Sequence, residues 1–249
     1  IRMAVLRNSV NNDDDIHIFL SGGLDSSAIV YFVEQLVSAR ICPKNIKTYS
    51  IGFDTENEFD YASLVATKFQ TEHTNMIVNT DEYMESLVDL VAFKGEPLNV
   101  PNEPLIYIMS KKAKMSGNVV LSGEGADELL YGYGRLFDSY YNYLKDESMP
   151  FYEYFMQRYA YLPEDFKKSL INSDMWENEL ELDKDLKKIF EKTFDECGDM
   201  HNQDRIGYVM LKLHLPCLLA RLDNATMCAS VEGRVPYLDN DVVENCVYN

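Results

Sequence analysis

Among the 249 residues, 23 Lys and Arg face 41 Asp and Glu, and the net charge of −18 excludes a broad nucleic-acid surface because it repels a phosphate backbone. A hydrophobic fraction of 46% suits a globular protein with a sizeable core, and no apolar run approaches the ~20 residues of a membrane span. Cys42, Cys197, Cys217, Cys228 and Cys246 are odd in number and lack CxxC spacing, so neither a disulfide framework nor a zinc site follows; they read as scattered core thiols of a reducing compartment.

The chain opens on "IRMAVLRNSV", an amphipathic turn or two with no signal-peptide pattern, and it reads as a piece of a longer protein. "NNDDD" (11–15) reads as a solvated turn. Short apolar runs then alternate with helical periods. "IHIFL" (16–20), "IKTYSIGF" (46–53), "HTNMIV" (73–78) and "NVVLS" (118–122) predict strands, and 26–40, 59–70, 81–93 and 103–115 predict helices. This alternation argues for an α/β fold, a parallel sheet with helices on both faces, over residues 1–130. After 130 the chain is dense in Tyr and Phe at helical spacing, with long helices expected at 183–197 and 203–228 and no further strand. The aromatic stripe reads as helix-packing core, and residues 131–249 as a mainly helical portion.

Two Gly-rich loops follow predicted strands, "SGGLDSS" (21–27) and "SGEGADE" (122–128), which places both at the carboxyl edge of the sheet, where ligands of such folds bind. Gly22 and Gly23 permit a tight turn and close backbone approach, and Ser26 and Ser27 start a helix whose N–H groups favour an anion. Asp25 suits a magnesium ion bridging to phosphate better than direct phosphate contact. The loop lacks the lysine of a Walker A sequence. Glu124, Asp127 and Glu128 add three carboxylates, read here either as a favourable helix start or as a second magnesium position with a spare acid.

"SGGLDSS" resembles the pyrophosphate loop of the N-type ATP pyrophosphatases, and "LSGEGADELLYGY" with "LLARLDNATMCASVEGRVPYLD" (218–239) narrows the resemblance to the synthetase domain of the asparagine synthetase family. The resemblance implies ATP and Mg2+ as cofactors and an acyl-adenylate route: a carboxylate, by default the aspartate side chain, is activated with release of pyrophosphate and then amidated by ammonia. It assigns pyrophosphate and nucleotide contacts to Phe19, Leu20, Ser21, Gly22, Gly23, Asp25, Ser26, Ser27, Ile51, Ser122 and Gly123. It assigns magnesium to Asp25 and Asp127, and catalysis to Glu124.

Arg221 and Asp223 are candidates for the nucleotide side. Arg234 and Asp239 read as a structural salt bridge or loop lock, His17 and His73 as structural, and Tyr131 and Tyr133 as shaping the second loop. "EPLNVPNEPLIYIM" (96–109) lacks the Thr/Arg-rich stretch of aspartate-specific members, which leaves a sugar or other metabolite carboxylate as an alternative acceptor. A glutaminase domain and a downstream lysine segment, expected in the parent protein, lie outside this sequence, so ammonia is expected from such a domain, a partner or solution. The cytoplasm is the expected location, with no nucleic-acid or membrane partner and homo-oligomerisation left open. The rival readings are a tRNA-modifying thiolase, against which the acidic balance counts, and a non-catalytic nucleotide-binding module.

Overall fold

A computed structural model of the chain describes residues 1–9, 15–42, 44–98, 100–143 and 149–248. The chain divides into two units, Ile1–Ala126 with Pro216–Asn249, and Asp127–Leu215.

The first unit begins with α1 (Arg2–Ser9), β1 (Asp15–Phe19), α2 (Leu24–Ser38), β2 (Asn45–Gly52), α3 (Phe59–Phe69) and β3 (Glu72–Ile77). It continues with α4 (Thr80–Lys94), α5 (Glu103–Lys114) and β4 (Val119–Leu121). Each observed strand lies within a residue or so of its predicted span. The sheet is wholly parallel in the order β3-β2-β1-β4-β5, with the last strand described below. The period-two alternation of β1 divides its side chains between two apolar layers. Ile16 and Ile18 join Ile29, Val30, Val33 and Leu36 of α2 on one face. Phe19 joins Tyr49, Val120 and Ile106 and Met109 of α5 on the other. Covered on both faces, β1 and β4 are buried along their whole length, which is why they read as continuous apolar runs.

Local signals set the helix ends. Asn79 caps α4 by accepting from the Glu82 N–H at 2.9 Å, and α4 stops at Gly95 in the left-handed region. Asp15 departs from the solvated turn expected for 11–15. It is the buried first residue of β1, paired with Lys47 at 2.8 Å, while 11–14 lie outside the described residues. The apolar run of β1 and a cation on the neighbouring strand together draw this last acid of the run inward.

The second unit is helical: α6 (Ala126–Leu130), α7 (Gly134–Tyr143), α8 (Phe151–Tyr159), α9 (Glu164–Leu170), α10 (Ser173–Glu196) and α11 (Asn202–Val209). As expected of the aromatic stripe, Phe137, Phe151, Phe155, Phe190 and Phe194 form its core, with Tyr133, Tyr140, Tyr143 and Tyr159 packed against them. The long helix expected over 203–228 is present as α11, continuing without a break through a π-helical turn at Met210–His214 into α12 (Leu215–Cys228).

The chain after Pro216 belongs to the first unit, so the expected helical portion 131–249 is not continuous. It carries a strand that the pattern did not reveal, β5 (Glu232–Arg234), parallel to β4 with Val119 opposite Glu232 and Leu121 opposite Arg234. Three residues with a central glycine show no alternation, so their pairing is a tertiary effect. A 3-10 turn (Pro236–Leu238) and α13 (Asn240–Tyr248) follow. Among the described residues no disulfide joins the cysteines; Cys42 and Cys197 are buried as expected, but Cys217 and Cys246 are exposed and do not belong to the core.

Candidate active site at the switch point of the sheet

From β1 the chain runs outward to β2 and β3, then returns to add β4 on the other side of β1. The loops after β1 and β4 therefore leave adjacent strands in opposite directions and open the crevice where such sheets bind ligands. These are the two loops that the sequence singled out.

The first loop is set by its own hydroxyls. Leu20 stays in the sheet through its N–H to the Tyr49 carbonyl at 2.8 Å, and the Ser50 hydroxyl donates to the Leu20 carbonyl. Gly22 has φ +83°, and a Cβ there would fall 2.5 Å from the Tyr61 carbonyl carbon and the Ala62 nitrogen, so no other residue fits. The Gly23 N–H donates to Ser21 Oγ at 3.2 Å, the Ser21 N–H to Ser26 Oγ at 3.3 Å, and the two hydroxyls lie 3.1 Å apart. Gly23 precedes α2 and has no side chain to cap it. Ser27 adds a buried hydroxyl with no hydrogen-bond partner among the described residues. The Tyr237 hydroxyl donates to the Asp25 carbonyl at 3.1 Å. Burial, with the charge of Asp25 adding to it, pushes that phenol up to about 12, so it remains a donor.

The second loop lies against the first. The Ser122 N–H donates to the Arg234 carbonyl at 2.9 Å, prolonging the β4–β5 ladder. At Gly123 a Cβ would lie 3.3 Å from the Ser26 nitrogen and 3.4 Å from Asp25 Cβ, so the lack of a side chain lets the loops touch. Glu124 follows. Its N–H donates to Ser122 Oγ at 3.4 Å, and its Oε1 accepts from Arg221 Nη2 at 2.6 Å. Arg221, on α12, is almost wholly buried and also donates from Nη1 to Asn102 Oδ1 at 3.2 Å. Arg221 thus holds the candidate acid. Neither Asn102 nor this contact was visible in the sequence. Asp223 is exposed on the same helix.

Of the remaining predicted residues, Leu20 is packed in the core beneath α2, Phe19 is buried in the opposite layer, and Ile51 is half-buried beside it. Asp127 opens the second unit, where a Cβ at Gly132 would fall on its carboxylate. Glu128 proves to be a structural acid of that unit: it is buried, accepts from the Tyr133 hydroxyl at 2.5 Å and lies 3.8 Å from His214. Tyr131 has φ +61° and donates to Asp204 at 3.3 Å. His17 meets the Tyr49 hydroxyl at 2.9 Å and His73 the Thr48 hydroxyl at 2.9 Å, both structural roles. Burial lowers the pKa of His73. Asp239 pairs with Arg7, whose Nε donates to it at 2.8 Å, while Arg234 donates to the Asn8 carbonyl at 2.9 Å and pairs with Glu232 at 2.9 Å.

Among the described residues no three acids, histidines or cysteines gather as a protein-only metal cage. Magnesium that bridges phosphate needs only one or two carboxylates, and Asp25, half-exposed on the first turn of α2, is of that kind. No helix among the described residues is long and apolar enough to cross a membrane.

Parallel strands covered on both faces, with two touching Gly-rich loops and a carboxylate at the switch point, define the class of α/β protein whose ligands bind beyond the carboxyl ends of its strands. The chain belongs to the asparagine synthase family, whose model matches residues 3–248. It is 28% identical over 265 residues to asparagine synthetase (glutamine-hydrolyzing) 1 of Bacillus subtilis, covering 94% of this chain and 40% of that protein. It is 36% identical over 136 residues to a putative asparagine synthetase (glutamine-hydrolyzing) of Mycobacterium tuberculosis, covering 52% of this chain and 20% of that one. The chain therefore spans less than half the length of these relatives. Among solved structures, the U34-tRNA thiolase NcsA from Methanococcus maripaludis with its 4Fe–4S cluster superposes with a TM-score of 0.36 at 13% identity, over 96% of this chain and 81% of that one.

Proposed function

We propose that this chain is the synthetase portion of an ATP-dependent amide ligase. The observation that carries the reading is the contact of the two loops at Gly123, with Glu124 held at the same place by Arg221. A carboxylate oxygen of the acceptor attacks the α-phosphorus of ATP, the bond to the β-phosphate oxygen breaks, and pyrophosphate leaves. Ammonia then attacks the acyl carbon of the adenylate, gives up a proton, and AMP departs. The N-terminus of α2 and the hydroxyls of Ser21, Ser26 and Ser27 hold the departing pyrophosphate through N–H and O–H donors. The nucleotide contacts are Phe19, Leu20, Ile51, Ser122 and Gly123. Glu124 supports adenylate formation and accepts the proton from ammonia. Asp25 would hold magnesium, which would supply charge neutralisation at the phosphates when bound. The acceptor is a small carboxylate, the aspartate side chain by default, and ammonia reaches it from a glutaminase domain or partner.

The test is pyrophosphate exchange into ATP by the full-length parent protein, across a panel of carboxylates including aspartate and uronic acids. Exchange that depends on one carboxylate and is lost in Glu124→Gln is the expected result. No exchange with any member would remove the ligase assignment.

A further inference from the structure

A chain of polar contacts runs from the first turn of α5 to Glu124. Asn102 immediately precedes α5, a position where asparagine ordinarily caps its own helix, yet its side chain makes no capping bond. Its Oδ1 instead accepts from Arg221 Nη1 at 3.2 Å, while Nη2 of the same guanidinium donates to Glu124 at 2.6 Å. The guanidinium is planar, so fixing one terminal nitrogen fixes the direction of the other. The next residue, Glu103, is fully enclosed and paired with Lys94 at the end of α4, whose Nζ lies 3.1 Å from Oε1 and 3.3 Å from Oε2. Lys94 is itself almost wholly buried. A buried ion pair is a poor source of net stability compared with apolar packing, and its best-attested use is to fix one arrangement of elements. Here it ties the first turn of α5 to the last turn of α4, beside the asparagine that Arg221 leans on.

We infer that Asn102 is a positioning residue, which aims Arg221 at Glu124 and is itself held in place by the Lys94–Glu103 pair. The inference rests on the reading of Glu124 as the catalytic acid. Without the Asn102 acceptor, Nη1 is left with no partner from that helix and the guanidinium is free to turn. Glu124 then loses its fixed direction, and a misplacement of this kind lowers turnover rather than ATP affinity.

The experiment is steady-state exchange by the full-length parent protein, with aspartate as the acceptor probe. Asn102→Ala is expected to lower kcat by ~10- to 100-fold with KM for ATP unchanged. Asn102→Asp, which restores an acceptor, is expected to recover most of the loss. In an Arg221→Met background, Asn102→Ala is expected to add nothing, because the group it positions is gone. Full turnover in Asn102→Ala, or losses that multiply independently in the double variant, overturns the inference. A crystal structure of Asn102→Ala with the Arg221–Glu124 contact intact overturns it as well, and decides the matter where aspartate supports no exchange. Failure of the underlying reading shows separately, as exchange retained in Glu124→Gln.

Discussion

Arg221 and Glu124 meet at 2.6 Å across 97 residues of sequence, the arginine side chain 7% exposed and the glutamate 21% exposed. One partner is fixed in the protein while the other keeps part of its carboxylate at the crevice, the asymmetry expected of a group that must be held and still reach a substrate. The two residues should therefore separate in their effects. Glu124→Gln keeps an acceptor for Nη2 and is expected to cost under about 1.5 kcal/mol of stability while abolishing turnover. Arg221→Met leaves both Glu124 and Asn102 without their donor and is expected to lower stability by about 2–4 kcal/mol as well as turnover. Urea denaturation of both variants beside the exchange assay checks this; equal stability losses would make Glu124 a structural residue.

Gly22 is expected to be irreplaceable on steric grounds. An alanine there must hold φ near +83° with its Cβ 2.5 Å from the backbone of Tyr61 and Ala62, so Gly22→Ala should lose at least about 2 kcal/mol. Gly134 is the control, since a Cβ there meets nothing within 4 Å, and Gly134→Ala should be neutral or stabilising by about 0.4–1 kcal/mol. A denaturation midpoint for Gly22→Ala equal to that of Gly134→Ala would refute the assigned loop geometry.

The sheet was legible because β1 to β4 are apolar runs punctuated by turn residues, a signal that needs no tertiary knowledge. The loops were legible for the same reason, since Ser-Gly-Gly turn chemistry is local. β5 was not: Glu-Gly-Arg becomes a strand only because β4 presents an open edge to it. Nor was the Asn102–Arg221–Glu124 chain, whose members lie 119 and 97 residues apart and whose contacts arise only once α5 and α12 pack on the same face of the sheet. Glu128 misled in the opposite direction. Its place beside Glu124 and Asp127 suggested a site carboxylate, whereas a tyrosine five residues on takes it into the helical core.

The Lys94–Glu103 pair should behave as a coupled unit. Lys94→Met leaves a carboxylate with no exposed surface and no counter-ion, and is expected to lose about 3–5 kcal/mol. Adding Glu103→Leu removes the orphaned charge and should recover most of that loss. A double-mutant cycle by chemical denaturation tests this; additive losses would mean that the two charges do not depend on each other.

Asp15 and Lys47 give stability a defined pH window. The hydrogen bond from Lys47, then that from Asn45, holds the Asp15 carboxyl below its ordinary 3.8, and the same bond to Asp15 raises Lys47 above 10.5. A depressed folded value stabilises above the unfolded one and is lost as pH falls through the folded value. A raised lysine stabilises below its unfolded value and is lost as pH rises through the folded one. Lys47→Met should therefore be less stable by about 1.5–3 kcal/mol at pH 7, with the gap to the parent closing below about pH 4. Denaturation curves at pH 7 and pH 3 measure it, and an unchanged gap at pH 3 would remove Asp15 as the source.

Asp25 offers the sharpest test of the metal assignment, because its main chain and side chain are engaged separately. Tyr237 holds the carbonyl at 3.1 Å, so Asp25→Asn keeps that anchor and should fold with a thermal midpoint within about 2 °C of the parent. The carboxylate is what the substitution removes, and magnesium takes charged oxygen ligands in preference to amides. Chelation with EDTA is expected to abolish exchange in the parent protein and added magnesium to restore it, while Asp25→Asn should need roughly ten-fold more magnesium for half-maximal exchange. Calorimetry of ATP binding with and without magnesium supplies the independent reading, since the parent should gain affinity from the metal and Asp25→Asn should gain little. Equal gains in the two proteins would show that the ion is held elsewhere, and would leave Asp25 as an ordinary acidic residue in the first turn of a helix.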